Sequence, residues 1–506
     1  MSRQAKSVPS ESVLPLYLIV LATAGVLYIV TCVPTILWQD SGRFVYRIWH
    51  NDIQGNLGLA LAHPLYIMIG IAAKYIPLGD LAYRVNLISA VFGAVAVANI
   101  FLLLRLWLGK SVPAVIAAIT FALSHTFWYH ASIAETYTLY IALLTGELIM
   151  LLRYMQSSKV SYLYWLGLLN GLAIADHMFA SIPLLCYGVF FVMLLAKKRI
   201  GFGHLAIVVL LWIIGAAPYE YLVIKNIIQS GDFTGTALSA AFGNSWQKVV
   251  LNTSISIKIV WENMIFILLN FPTPNLVFFF IGLWGLWKAA PSRGFANIIV
   301  AMLVLYFVFA FRYTVLDRHV FFLPFYCLMV VLIGLGANAF FNRGNRKAAV
   351  VAVLLFSLLP IPIYAVTPAF ARKTYKAFEQ RRQRPYRDEY TYWLWPWKTG
   401  YRGAERFANE ALDMVEENAI IYAYTTDVHA LLYVQEVKGK RTDVKIVSDY
   451  DSSKDAPAFN QETITQLMND SAVYVPSKVK GYCPEFLLEN YDFVKSGVLW
   501  RVVKRR

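Results

Sequence analysis

Apolar stretches of membrane-spanning length recur along this chain, separated by short loops that carry Lys and Arg, and that alternation constrains the fold more than any other feature. With 58% hydrophobic and 15% charged residues, the 506-residue chain is too apolar for a soluble globular protein. It reads as a polytopic α-helical membrane protein. A net charge of +15 would point to nucleic acid in a soluble protein. Here much of the excess lies in the short loops, where orientation rules place it, so no nucleic-acid partner is expected.

The first apolar run, Leu14 to Trp38, is longer than a signal-peptide core and lacks a small-residue cleavage site, so it is expected to remain as an anchor. Arg3 and Lys6 put its N-terminus in the cytoplasm. The next run, Leu57 to Ile76, contains Pro64 and is short. Were it to cross, Arg105/Lys110, Arg153/Lys159 and Lys197-Lys198-Arg199 would fall on the wrong side, so Asp40 to Arg84 is expected to form one long outer loop with amphipathic helices. Residues 256–271, which contain Glu262, are expected to lie on the surface or to re-enter by the same argument, keeping Lys288/Arg293 and Arg343/Arg346/Lys347 inside. Spans are then expected near 14–38, 85–106, 112–131, 137–154, 162–178, 181–196, 204–223, 275–288, 296–312, 319–341 and 347–369, about eleven in all, with the C-terminus outside.

The composition changes after Pro368. Arg372 to Arg387 is a basic run that suits a solvated stalk against anionic headgroups, and Trp393-Leu394-Trp395-Pro396-Trp397 suits the membrane interface. Beyond it, helix and strand patterns alternate: helices at 403–417, 428–437 and 461–468, strands at 419–424, 444–448 and 472–475. That rhythm predicts a small soluble α/β domain. The expected division is 1–370 for the membrane domain, 371–400 for a membrane-surface connector and 401–506 for the outer α/β domain. Neither a Gly-rich phosphate loop nor a metal spacing is present in the last, and the four scattered cysteines suggest neither disulfides nor zinc.

Asp40 stands where the chain leaves the first apolar run, a place where packing does not call for a carboxylate. Asp-Ser-Gly is also ordinary turn chemistry, so Asp40 alone is ambiguous. The topology, however, brings it to the same side as His63, Glu135, Asp176, His177, Arg312, Asp317, Arg318 and His319. A carboxylate can take a proton from an attacking hydroxyl while Arg and His steady a departing phosphate. Singly, the histidines and Glu135 also suit helix ends, and Arg318 and His319 suit interface anchors.

The segments Asp40-Ser41-Gly42-Arg43-Phe44, His63-Pro64-Leu65-Tyr66, Arg84-Val85-Asn86-Leu87-Ile88-Ser89-Ala90, Thr126-Phe127-Trp128 and Glu135-Thr136-Tyr137 resemble a membrane family once classed as a domain of unknown function, which contains the plexin-type protein O-mannosyltransferase. The resemblance continues through Gly171 to His177 and Tyr313 to Pro324. It implies a fold like the GT-C class of glycosyltransferases, which use polyprenyl-phosphate sugars, with a catalytic acid in the first outer loop at Asp40 and a second acidic group at Glu135. Two departures are visible. His63-Pro64-Leu65-Tyr66 replaces a His-Pro-Pro-Gly-Tyr form, and Arg43 replaces an acid.

The expected function is inverting transfer of a sugar from a polyprenyl-phosphate donor to a hydroxyl of a protein or glycolipid on the periplasmic or lumenal face. Asp40 would be the base, with Glu135 assisting. Arg318, His319, His177 and Arg312 are the candidates for the donor phosphate, and Arg43, His63 and Tyr66 for the substrate loop. The lipid-linked sugar is the donor substrate and a divalent metal is a further candidate. A transporter or flippase of a lipid-linked sugar is the alternative. Such a protein should show a repeat relating its halves, which this sequence lacks.

Overall fold

Polar residues set the helix limits in the computed structural model, which describes residues 13–505 apart from 245, 316, 343–346, 375, 380 and 381, with 377 as backbone only. Asp80 caps the Leu81–Leu108 helix by accepting from Ala82 N–H at 2.8 Å, and Gly109 closes it at φ 69°. Ser292 likewise caps Arg293–Arg312, accepting from Phe295 N–H at 3.1 Å.

Eight helices among the described residues are long and apolar enough to cross a membrane, or up to ten if each of two bent pairs counts as one span. This corrects the expected eleven. Ser111–Ala122 and His125–Ala131 meet at 69°, Ile257–Asn270 and Pro274–Ala289 at 109°, and Ser161–Asp176 has only 16 residues. The last helix packs against Phe202–Ser230 at backbone distance: a Cβ on Gly171 would lie 2.1 Å from the Trp212 carbonyl oxygen. Small residues at such crossings let helices gain contact area where lipid offers no hydrophobic driving force.

Neither Leu57–Ile76 nor 256–271 forms a straight span. The first contains a ten-residue helix, Pro64–Ala73, and the second turns back sharply into its neighbour. Before them, Gln39–Trp49 is amphipathic, burying Ser41 to Val45, Arg47 and Ile48 and exposing Asp40 and Trp49. Arg3, Lys6, Arg343 and Arg346, which carried part of the orientation argument, lie outside the described residues.

The C-terminal region forms a five-stranded sheet from β1 (Ile420–Tyr422), β2 (Lys445–Val447), β3 (Val473–Val475), β4 (Tyr491–Ser496) and β5 (Leu499–Lys504), in the order β2-β1-β3-β5-β4. β1 runs parallel to β2 and β3, whereas β5 is antiparallel to β3 and β4. The first three strands fall within their expected ranges. The β4–β5 hairpin is additional, and Gly497 at φ 46° supplies its turn. One apolar core joins this region to the segment that follows the first long helix, with Leu37, Trp38, Phe44 and Ile48 packed among Phe407, Leu412, Val428 and Leu431.

The second half of the basic connector is not a solvated stalk, although Arg372, Lys373 and Lys376 in its first half are exposed. Arg382, Arg384 and Arg387 have side chains no more than 7% exposed. Arg382 pairs with buried Asp427 at 2.6 Å and Arg387 with buried Glu389 at 2.8 Å, while Arg384 reaches Glu389 at 3.3 Å. Guanidinium groups are tolerated inside when acids and rings surround them, and Arg387 lies 3.7 Å from the Tyr392 ring centre. Removing Asp427 leaves buried cations without their counter-charge, so Asp427→Ala is expected to cost about 3–5 kcal/mol, read as a fall in melting temperature of purified protein. An unchanged melting curve would return the cluster to a surface role.

Candidate active site

Two residues of the Leu81–Leu108 helix, one turn apart, fix the loops that carry the candidate acids. Asn86 donates to the carbonyls of Val33 at 3.0 Å and Thr35 at 3.1 Å, just ahead of Asp40. Ser89 bonds both backbone groups of Glu135, at 2.9 and 3.0 Å, and the Tyr66 hydroxyl at 3.2 Å. Both lie in a segment that carried the family resemblance, yet neither was read from the sequence as part of the site.

Asp40 sits exposed in the first turn of Gln39–Trp49, directly after Gln39 at φ 59°. His63, which precedes Pro64, is also left-handed, at φ 50°. Such backbone costs on the order of 1–3 kcal/mol per residue and tends to cluster at functional sites. Asp40, Glu135 and Asp317 lie close enough for their charges to act on one another. Burial and then its two acidic neighbours hold Glu135 well above the usual carboxylate range. Burial, then Asp40, raises Asp317 to about 6. Among the described residues no three His, Cys, Asp or Glu side chains are placed to hold a metal ion.

Asp317 yields a pH test with a definite sign. Its carboxyl binds a proton more tightly folded, at about 6, than unfolded, at about 3.9. The stability it contributes is therefore full below pH 4 and lost as pH rises through 6. Asp317→Asn is expected to leave the melting temperature at pH 4 nearly unchanged and to raise it by about 3 °C at pH 7.5. A variant melting lower than wild type at pH 7.5 would contradict the sign.

A row of rings surrounds these acids. Tyr137 lies 5.3 Å from His177 and 5.2 Å from His130, His177 lies 5.0 Å from His63, and His130 lies 6.1 Å from His319. Burial keeps His63 neutral, its pKa lowered to about 4, and burial together with His63 keeps His177 well below its ordinary value. His63 Nδ1–H donates to the Asp176 carbonyl at 2.6 Å. His177 Nδ1 accepts from Phe179 N–H at 3.1 Å, which leaves Nε2–H as its donor. The Asp176 carboxyl is buried, and neither oxygen has a hydrogen-bond partner among the described residues.

The candidate cations divide. Arg318, buried at 5% exposure, pairs with Glu262 of the bent Ile257–Asn270 helix, lies 5.2 Å from the Phe266 ring centre and keeps Nη1 without a hydrogen bond. Arg312 instead donates to the Val250 and Asn252 carbonyls, closing the loop between two helices. Arg43 turns toward Asn56 and, at 3.9 Å, Asp451 of the C-terminal region. The structure thus gathers Asp40, Glu135, His63, Tyr66, His177 and His319 around the ring system, with Arg318 beside it, and leaves Arg312 and Arg43 in structural contacts. Glu262 and Tyr137 went unread as site residues because their partners are far away in sequence.

Residues 56–200 match the family described as the Protein O-mannosyl-transferase TMEM260 N-terminal domain. Protein O-mannosyl-transferase TMEM260 of Mus musculus is 23% identical over 221 residues, which is 42% of this chain and 31% of that protein. The match therefore spans about a third of the relative's length. Among solved structures, ArnT from Cupriavidus metallidurans bound to undecaprenyl phosphate superposes with a TM-score of 0.63 at 15% identity, covering 96% of this chain and 98% of that one. Its apo state gives 0.62 at 13% identity, covering 97% and 98%. The chain shares the fold of ArnT.

Proposed function

We propose, for a chain whose residues 56–200 match the TMEM260 N-terminal domain family and whose whole length folds as a GT-C protein, that it is an inverting glycosyltransferase taking its sugar from a polyprenyl phosphate and delivering it to an acceptor hydroxyl on the outer face. The observation that carries this reading is the convergence of exposed Asp40 with Glu135 and Asp317, beside a buried arginine that retains an unbonded N–H.

Asp40 takes the acceptor hydroxyl proton as that oxygen attacks the anomeric carbon from the side opposite the phosphate. The carbon–oxygen bond to phosphate breaks, its electron pair leaves with the phosphate, and the configuration inverts. Arg318 meets the growing charge with its free Nη1, and His177 offers Nε2–H as a neutral donor. Glu135, whose affinity for its proton is raised by burial and by its acidic neighbours, can donate a hydrogen bond to the acceptor instead of competing for its proton. The fold shared with a protein crystallised with undecaprenyl phosphate supports the donor class, and the mannosyl-transferase relative makes mannose the first sugar to test. The acceptor is a protein Ser or Thr hydroxyl, or a glycolipid.

The test supplies membranes containing the protein with radiolabelled undecaprenyl-phosphate mannose and, in parallel, the corresponding donors of other sugars. Label moving from lipid to a protein or glycolipid fraction is the expected result. No transfer above control membranes from any donor would defeat the proposal.

A further inference from the structure

The chain on either side of Asp40, at the N-cap Trp38 and at Arg43 in the helix, is held by the C-terminal region. On one side, Trp38 donates Nε1–H to the Tyr401 hydroxyl at 2.8 Å, and its ring lies 5.3 Å from that of Phe407. On the other, Arg43, at 6% exposure, lies 3.9 Å from Asp451, which accepts from His429 Nε2 at 2.8 Å. Asn56 completes the contact: it accepts from Arg43 and donates to the Tyr450 carbonyl at 2.9 Å and to Asp451 at 3.3 Å. Between the two grips sits Gly42, where an added Cβ would lie 3.2 Å from His429 Cβ and 2.6 Å from the Leu37 carbonyl oxygen. The helix therefore meets His429 closely at the very turn that presents Asp40.

The α/β domain is thus seated on the first outer loop through built contacts. His50 bonds Glu436 at 2.7 Å, and Asp80, the cap of the Leu81–Leu108 helix, pairs with Lys438 and accepts from the Tyr433 hydroxyl. The acid Arg43 meets comes from Asp451, some 400 residues away in the chain.

We propose that Asp451 is a positioning residue for sugar transfer: held by His429, it fixes Arg43 and with it the turn that presents Asp40. This rests on the reading of Asp40 as the base. A general base works only within hydrogen-bond reach of its proton, and a displacement of about 1 Å can cost on the order of 100-fold in rate. Losing one of two grips should displace the turn less. Asp451→Asn is expected to lower kcat about tenfold while leaving KM for the donor unchanged, because the donor meets other residues.

The experiment uses the full-length protein and radiolabelled undecaprenyl-phosphate mannose. Asp451→Asn is compared with Asp413→Asn, an exposed acid of the same domain paired with Lys440 away from this contact, and with Asp40→Asn. Amide hydrogen exchange over residues 38–47, which needs no substrate, is read alongside turnover. The expected result is exchange over 38–47 about tenfold faster in Asp451→Asn, with Leu81–Leu108 unchanged and kcat reduced at constant KM. Behaviour equal to Asp413→Asn in exchange and turnover would overturn the inference, as would a loss confined to KM or faster exchange at full turnover. Full turnover in Asp40→Asn would defeat the base reading alone, leaving the grip on the helix visible in exchange.

Discussion

Asp40→Asn is expected to lower sugar transfer about a thousandfold, within the range a general base contributes, while the donor's KM stays within about twofold of wild type. Asparagine has nearly the same shape and suits the turn at the head of the Gln39–Trp49 helix, so the fold should survive. What it lacks is a basic lone pair for the acceptor's proton. The measurement is label transferred from the polyprenyl-phosphate sugar, scored beside a melting curve. Transfer at the wild-type rate would remove Asp40 as the base and pass the role to another acid of the cluster.

The second large effect belongs to Arg318. Arg318→Ala is expected to lower turnover about 100-fold or more and to weaken donor binding with it, because a leaving phosphate in a water-poor site gains charge as its bond to the sugar breaks. Arg318 also anchors Glu262, so alanine alone would confound catalysis with loss of the link to the Ile257–Asn270 helix. Arg318→Lys separates the two. Lysine keeps a charge for Glu262 but not the planar fork that grips two phosphate oxygens, so it should restore the melting temperature and only part of the activity. Donor binding and turnover intact in Arg318→Ala would leave Arg318 as an anchor of the bent helix.

Membrane character, the position of most helices, the absence of a straight span-length helix at Leu57–Ile76 and 256–271, and the first three strands were legible in the sequence, because the length and patterning of each segment bear on them. Length and hydropathy decide whether a helix can span, and alternation decides whether a strand can pair. The count of spans was too high because hydropathy registers neither the 16-residue limit of the Ser161–Asp176 helix nor the 69° bend between Ser111–Ala122 and His125–Ala131. The β4–β5 hairpin was missed although Tyr491 to Lys504 alternates around Ser496-Gly497, a pattern that could have found it.

By itself, then, the sequence determined which side chains the chain can offer at its helix ends: Asp40, His63, Glu135, His177, Arg318 and His319. Only the tertiary structure decided what each one meets. Arg312 closes a loop on backbone carbonyls, Arg43 reaches Asp451 of the C-terminal region, and Arg382, Arg384 and Arg387 of the connector are buried against Asp427 and Glu389 instead of staying solvated. The physical reason is that a charge's environment is set by partners hundreds of residues away. Whether an arginine stays solvated, pairs with an acid or waits for a phosphate depends on desolvation and Coulomb terms that exist only once those partners are in place.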